Sequence, residues 1–150
     1  MTSSIPQSES AEMGRVMTTA KITNLYDLLK VNEGLVTDDT VRSIEVELLV
    51  DTGATMLSLP KKMIDQLGLT KTKKKRVITA NGEATRSIYD VVRLEIMDRD
   101  ATIPVMEVPP GVPALLGYVP LEMLDLVPNP KSQRLMGNPD HDGHYILDQL

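Results

Sequence analysis

The chain has 150 residues and a formal net charge of −5, and it contains no Cys, Trp or Phe. This length suffices for one domain with a core, and the lack of Cys excludes a disulfide scaffold. The acidic charge argues against a nucleic-acid surface, and no stretch approaches the about 20 apolar residues of a membrane span. The N-terminus also lacks the apolar segment of a signal peptide. We therefore expect a cytoplasmic protein with no nucleic-acid or membrane partner.

The first third of the chain reads as a leader, a helix and a strand. Residues 1–18 are rich in Ser, Thr and Gln without a hydrophobic period, which predicts a disordered leader before a single domain over residues 19–150. The segment "ITNLYDLLKV" (22–31) places leucines at helical spacing after capping residues, so we predict a short helix. The segment "TVRSIEVELLVD" (40–51) alternates apolar and acidic residues, which predicts a half-buried strand ending at Asp51.

The middle of the chain predicts a helix followed by a hairpin. In "LPKKMIDQLGL" (59–69), Pro60 stands at a first-turn position and Gly68 just past the end, which is the usual asymmetry of a helix. The segment "KKRVITANGEATRSIYDVVRLEIM" (74–97) reads as two strands around the turn "ANGE" (80–83), because Asn-Gly is a strong hairpin signal.

The last third adds short strands and one more helix. A charged turn "DRD" (98–100) leads into a strand, "ATIPVMEVP" (101–109). An apolar strand, a glycine and a short helix follow in "ALLGYVPLEMLDL" (114–126), and "VPNPKSQRLM" (127–136) predicts a small hairpin turning at Asn-Pro. The tail "HYILDQL" (144–150) is apolar enough to pair or dock. About six strands with two or three short helices predict a mostly-β domain built as a barrel or folded sheet.

One basic run interrupts the acidic chain. The stretch "KTKKKR" (71–76) is short and carries no aromatic residues. We interpret it as a solvated loop or strand edge, and an electrostatic contact with a peptide or partner is the alternative.

The histidines and serines carry weaker signals. His141 and His144 lie near Asp140 and Asp142, a set that could ligate a metal. We favour a polar turn, because Gly and Pro residues bound the segment, and we expect no metal and no cofactor. The serines lack a nucleophile-elbow pattern, which disfavours a serine-type hydrolase.

The stretch "VDTGATMLSLP" (50–60) places Asp51 at the end of the predicted strand, directly before Thr and Gly. An apolar segment with a glycine, "ALLGY" (114–118), follows some sixty residues later, and the predicted hairpin lies between them. In this order the motifs "VDTGAT…LP…LGL", "ANG" and "LLG…LE.LDL" resemble the retroviral-type aspartic proteases. More narrowly, the chain resembles the bacterial single-domain aspartyl proteases of that clan over roughly residues 22–145.

The resemblance implies a retropepsin-like fold, mostly β, with one half-site per chain. Asp51 would be the catalytic aspartate, Thr52 would hold the loop against its symmetry mate, and Gly53 would let the backbone approach the substrate. The turn "ANGE" would be the tip of a flap, and the segment 115–117 would brace the catalytic loop from behind. The expected substrate-binding residues are Ala54, Thr55, Ala80, Asn81, Gly82, Leu116 and Gly117.

The chemistry of this class requires two carboxylates. Two carboxylates at close range cannot both ionise cheaply, so they share one proton. The charged member acts as general base on a water, and the protonated member stabilises the oxygen of the scissile carbonyl. The sequence contains one Asp-Thr-Gly and no Asp-Ser-Gly. We therefore expect a homodimer that places Asp51 opposite Asp51 and cleaves a peptide or protein substrate.

Three alternatives remain open at this point. A non-catalytic peptide-binding or dimerisation module would keep the fold, and two departures from the family pattern favour it: Tyr118 where viral members often carry Arg, and Asn81 with Glu83 where they carry glycines. The tail 144–150 pairs at a dimer interface or packs on its own subunit. The leader is a segment that stays attached or a propeptide removed by self-cleavage.

Overall fold

The computed structural model describes residues 15–148, so most of the predicted leader and the last two residues of the tail lie outside the described range. The strands are Met17–Asn24 (β1), Ser43–Val50 (β2), Leu57–Pro60 (β3), Lys71–Thr79 (β4), Gly82–Ile96 (β5), Arg99–Val108 (β6), Leu115–Leu116 (β7), Leu126–Asn129 (β8) and Arg134–Gly137 (β9). The helices are Leu25–Asn32 (α1), Lys61–Leu67 (α2) and Tyr118–Leu124 (α3), with 3₁₀ turns at Asp38–Thr40 and Pro139–His141. The prediction of a mostly-β fold with two or three short helices is confirmed.

Seven strands form one mixed sheet that closes on itself. Their order is β1-β2-β7-β3-β6-β5-β4, and β1 also pairs with β5. Because β1 has both β2 and β5 as neighbours, six strands form a barrel, and β4 lies outside it with one edge that no other described strand pairs with. Strands β8 and β9 form a separate small hairpin.

The core lies on one face of this sheet, and the register shows how it is built. Val50 pairs with Leu116, Leu116 with Leu57, Leu57 with Val105, and Val105 with Tyr89. Directly paired residues share a face of the sheet, so these five side chains form a row across five strands. Leu57, Val105 and Leu116 are fully buried. The alternation predicted for residues 40–51 is confirmed. Val46 and Leu48 are buried, whereas Glu45 and Glu47 are exposed.

The first predicted helix is confirmed with Asn24, one of its two candidate caps, as N-cap, but the strand before it was not predicted. Residues 17–24 form β1, and the helix begins only at Leu25, with Asn24 as its N-cap. Tertiary pairing decides this, because β1 bonds along β2 on one side and along β5 on the other. The boundary predicted after residue 18 falls inside β1. The helix predicted within 59–69 is confirmed, with Pro60 as N-cap and Gly68 in the left-handed conformation as C-cap.

A polar network joins α1, β1 and α2. The side chain of Asn24 accepts the N–H of Asp27 at 3.1 Å and donates to the carbonyl of Leu67 at 2.9 Å. The buried carboxylate of Asp27 accepts three hydrogen bonds from Arg42, at 2.9, 2.9 and 3.0 Å. These bonds from Arg42 hold the pKa of Asp27 below its usual value. The guanidinium of Arg42 occupies the space that a side chain at position 68 would take. The glycine at the end of α2 therefore leaves room for the bonds between Arg42 and Asp27.

The C-terminal segment packs on its own chain as far as residue 148. The carboxylate of Asp125, at the end of α3, receives His141 Nδ1 at 2.7 Å and the N–H of Ile146 at 3.1 Å. The hydroxyl of Tyr145 donates to the carbonyl of Asp100 at 2.8 Å. In the part of the tail that the structure describes, no strand forms. Pairing of the tail across a dimer therefore has no support from the described residues.

None of the helices in residues 15–148 is both long and apolar enough to cross a membrane.

Candidate active site

Asp51 occupies the first position after β2, in a tight turn. Its N–H donates to the carbonyl of Leu116 at 3.0 Å, which extends the β2–β7 pairing by one residue. Its own carbonyl accepts the N–H of Ala54 at 3.0 Å, and its carboxylate Oδ1 accepts the N–H of Gly53 at 2.9 Å. Asp51 is half-buried, whereas Thr52 and Gly53 are exposed. The sequence thus folds into a loop that fixes one carboxylate by a backbone hydrogen bond and leaves it accessible.

Strand β7 braces this loop from behind. Its two residues, Leu115 and Leu116, pair with β2 on one side and with β3 on the other, so β7 lies between the two strands that flank the loop. The following N–H groups, of Tyr118 and Val119, donate to the carbonyls of Ala54 at 2.9 Å and of Thr55 at 3.0 Å. The loop that carries Asp51 is therefore held by backbone bonds at its start and at its end.

Gly117 allows this close approach. A Cβ atom at this position would lie 2.5 Å from the backbone carbon of Thr55 and 2.7 Å from the carbonyl oxygen of Ala54. Its φ of −84° is ordinary for any residue, so the requirement for glycine is steric. Tyr118, directly after it, is 43% exposed beside the loop.

Thr52 has a hydroxyl group with no hydrogen-bond partner among residues 15–148. The side chain is exposed next to Asp51, on a loop whose backbone is fixed. Such a hydroxyl is free to bond a group supplied by another molecule. The role of Thr52 in holding the loop against its symmetry mate stays a prediction.

A second row of residues crosses the sheet on the face opposite the core. Leu49 pairs with Leu115, Leu115 with Ser58, Ser58 with Met106, and Met106 with Ile88. We call this set the outer row. Leu49, Leu115 and Met106 of this row are half-buried, and Ser58 and Ile88 are buried.

Asp51 lies at one end of the outer row. It follows Leu49 by two residues in extended chain, so its side chain leaves on the same face. Asp51 and the outer row therefore share one face of the sheet. Sequence reasoning missed most of this row, because alternation shows that a strand has two faces and does not show which residues of distant strands share one.

The predicted flap is the outer half of the β4–β5 hairpin. Pairing of β5 with β6 starts only at Ile88, so residues 74–87 project from the barrel as a two-stranded ribbon, which we call the ribbon. Thr79 pairs with Gly82, and Ala80 and Asn81 form the tip. The hydroxyl of Thr79 donates to the carbonyl of Gly82 at 2.8 Å and accepts the N–H of Asn81 at 3.1 Å. The hairpin prediction is confirmed; the role of Ala80, Asn81 and Gly82 as a flap stays a prediction.

The remaining candidates fall into two groups. Leu116 is fully buried in the core, so its side chain supports the loop, and its contact with a substrate stays a prediction. The neighbouring Leu115 lies on the face of Asp51.

His141 binds Asp125 and also lies 3.2 Å from Asp148 through Nε2. Among the residues that the structure describes, no group of three or more His, Cys, Asp and Glu side chains is arranged to hold a metal ion.

Comparison with known families adds one finding. The model of a family described as aspartyl protease matches residues 36–119, which is more than half of the chain. The matched range includes Asp51 with its loop, the ribbon, and Leu115 to Gly117. A search of curated proteins finds no significant match.

Proposed function

The chain belongs to the aspartyl protease family, and from this premise we propose that it is an aspartic endopeptidase whose site forms when two copies pair. Asp51 of each copy supplies one carboxylate. One carboxylate, ionised, removes a proton from a water, while the other, protonated, donates a hydrogen bond to the carbonyl oxygen of the scissile bond. The proton is shared because two adjacent carboxylates cannot both carry charge cheaply, as in aspartic proteases generally.

The arrangement of Asp51 is the observation that carries the proposal. Its carboxylate is oriented by the N–H of Gly53 at 2.9 Å, and it forms no ion pair with any Lys, Arg or His among residues 15–148. A carboxylate that is fixed but not neutralised suits general-base chemistry. The sequence supplies one such loop, so a second copy is the source of the other carboxylate. The free hydroxyl of Thr52 gives a natural donor for that contact.

The proposed assembly is a homodimer with two-fold symmetry. A symmetry axis beside Asp51 would bring each loop against its twin. An extended peptide would lie across the axis, on the two outer rows. Retropepsin-like proteins typically work as dimers of this kind.

The experiment compares wild type with Asp51→Asn on a peptide library, with the mass of the assembly measured for both. We expect wild type to cleave and Asp51→Asn to remain dimeric without activity, because the amide cannot act as a base. Asp98→Asn is the matched control: Asp98 is exposed in the β5–β6 turn with φ of 64°, which Asn tolerates. Cleavage by dimeric Asp51→Asn at the wild-type rate would overturn the proposal.

Mixing the two proteins tests the sharing of the site. If each site needs one Asp51 from each chain, activity falls with the square of the wild-type fraction after subunit exchange. If each chain works alone, activity falls in direct proportion to that fraction. The second result would leave the protein an enzyme but remove the dimeric dyad.

A non-catalytic peptide-binding or dimerisation module is the second candidate, and the ribbon tip favours it. Asn81 and Glu83 replace flexible glycines, and the ion pair of Arg76 with Glu83, at 2.5 Å, ties the two strands together. A wild-type dimer that binds peptides but cleaves none across the pH range would support this module.

A further inference from the structure

We propose that a basic cluster formed by Lys73, Lys75 and Arg86, in and directly beside the ribbon, selects substrates with acidic residues several positions away from the scissile bond. The proposal rests on the proposed function, since it names the class of peptide that the same site takes. It starts from an imbalance of charge. Residues 71–87 contain six basic residues and one acidic residue, Glu83, in a chain whose net charge is −5.

The three members of the basic cluster share one face of the hairpin. Lys75 pairs directly with Arg86, and Lys73 pairs with Ile88. Lys73 and Lys75 are two residues apart in a strand, so they point to the same side. The other face carries Lys74 and Arg76, and there the one carboxylate of the ribbon already pairs with Arg76.

This face continues the outer row that ends beside Asp51. Ile88 belongs to both, because it pairs with Lys73 of β4 and with Met106 of β6. The basic cluster and Asp51 therefore lie at opposite ends of one sheet face. Ser58 and Ile88 of this row are themselves buried, so a peptide extended from Asp51 would cross over them, five strand spacings of about 4.8 Å in all, to reach the basic cluster on the same face.

The basic cluster has no carboxylate partner within the described residues. No Asp or Glu of residues 15–148 forms an ion pair with Lys73, Lys75 or Arg86. The guanidinium of Arg86 donates to the carbonyl of its neighbour Thr85 at 3.2 Å. Like charges directly opposite each other across two strands destabilise the pair. The stability of the fold does not explain why Lys75 lies opposite Arg86. An acidic ligand bound between the two cations would offset their repulsion.

The chemistry of the ribbon favours a peptide as the ligand. Within residues 15–148 no strand pairs with the outer edge of β4, so its backbone groups can bond an added strand. Residues 71–87 contain no aromatic side chain on which a nucleobase could stack. Lysines on an edge strand also discourage aggregation, but that role does not distinguish the two faces of β4.

The test uses the full chain and pairs of peptides that differ only in charge. A peptide cleaved by wild type is made with Asp or Glu about seven residues from the scissile bond, and again with Asn or Gln at the same positions; a chain that rises about 3.3 Å per residue spans the five strand spacings to the basic cluster in that length. Wild type is expected to favour the acidic peptide by about tenfold in kcat/KM, as exposed ion pairs are individually weak. The preference should shrink at high salt, because salt screens exposed charges.

Two variants of neighbouring residues separate the alternatives. Lys75→Gln should lower the preference severalfold, because cleavage of the acidic peptide slows more than cleavage of the neutral one. Lys74→Gln, one residue away on the other face, is the matched control and should keep the preference. Relief of the repulsion with Arg86 should leave Lys75→Gln at least as stable as wild type to heating, which excludes misfolding as the cause.

Failure of this inference and failure of the proposed function give different results. Cleavage without preference for the acidic peptide, or equal effects of Lys74→Gln and Lys75→Gln, overturns the inference and leaves the enzyme. If no peptide is cleaved, binding of the same peptides to Asp51→Asn is measured by fluorescence anisotropy. Preferential binding of the acidic peptide then supports the basic cluster alone. Stronger competition by a single-stranded oligonucleotide than by the acidic peptide would also overturn the inference.

Discussion

The substitution Gly117→Ala tests whether the brace behind the catalytic loop sets the position of Asp51. The added Cβ would lie 2.5 Å from the backbone carbon of Thr55, and ordinary contact begins at 3.4 Å, so one backbone must move by about 0.9 Å. The three nearest atoms are all backbone atoms of residues 54–56. No flexible side chain can absorb the overlap, and the loop itself must shift.

The cost of this shift has two parts. Overpacking a tight contact typically lowers the free energy of unfolding by about 1–3 kcal/mol. A displacement of about 1 Å in a reacting group can cost about 10²-fold in rate. We therefore expect Gly117→Ala to lose about 100-fold in kcat/KM while the protein remains folded under assay conditions. Urea unfolding and peptide hydrolysis, each per mole of folded dimer, measure the two parts separately.

Gly137→Ala is the matched control for this prediction. A Cβ there would lie 2.3 Å from the carbonyl oxygen of Gly143, an overlap of similar size in the separate β8–β9 hairpin. It should lower stability without lowering kcat/KM of the folded fraction. The idea that Gly117 positions the loop would be refuted if Gly117→Ala kept the kcat/KM of the wild type. It would also be refuted if Gly137→Ala lost as much kcat/KM as Gly117→Ala.

Two further predictions concern pH and stability. Arg42 holds the pKa of Asp27 below its usual value, so the stability gained is present above the normal carboxylate range and is lost as pH falls through the folded pKa. Asp27→Asn should lower the free energy of unfolding by about 2–3 kcal/mol at neutral pH and flatten its decline towards acid in urea titrations. The hydrogen bond to Asp125 raises the pKa of His141, so docking of the tail is strongest below about pH 6.5 and is lost as pH rises through the folded pKa. The protection of the Ile146 N–H against hydrogen exchange, taken relative to the intrinsic exchange rate at the same pH, should fall over that rise, and His141→Gln should remove this fall; an unchanged protection profile in that variant would contradict the assignment.

The fold could be predicted wherever a local signal and the tertiary structure agree. Pro60 and Gly68 bound α2 because each fits its position by backbone geometry alone. The turn before β6 was expected at residues 98–100, but it is made by Met97 and Asp98, both with positive φ. Left-handed Met is uncommon, and the tight pairing of Ile96 with Arg99 imposes it.

The candidate site was predictable as a motif but not as a surface. Asp51 with its loop could be found in the sequence, because chain order preserves the spacing of the motif. Leu115 and Leu116 form a strand of two residues, and no pattern in the sequence shows that it lies between β2 and β3. The grouping of Lys75 with Arg86 depends on the β4–β5 register. Long-range register is a property of the whole sheet and is not contained in any one segment.

A two-fold axis beside Asp51 has a consequence for the basic cluster. In the proposed dimer every feature occurs twice, so one basic cluster lies on each side of the paired carboxylates. A peptide has a direction, but the site does not, and each half of the substrate meets the same set of cations. The acidic preference should therefore extend to both sides of the scissile bond, and peptides with acids on both flanks should be cleaved faster than peptides with the same number on one flank. A preference confined to one flank would contradict symmetric recognition, because the two clusters would then have to act differently.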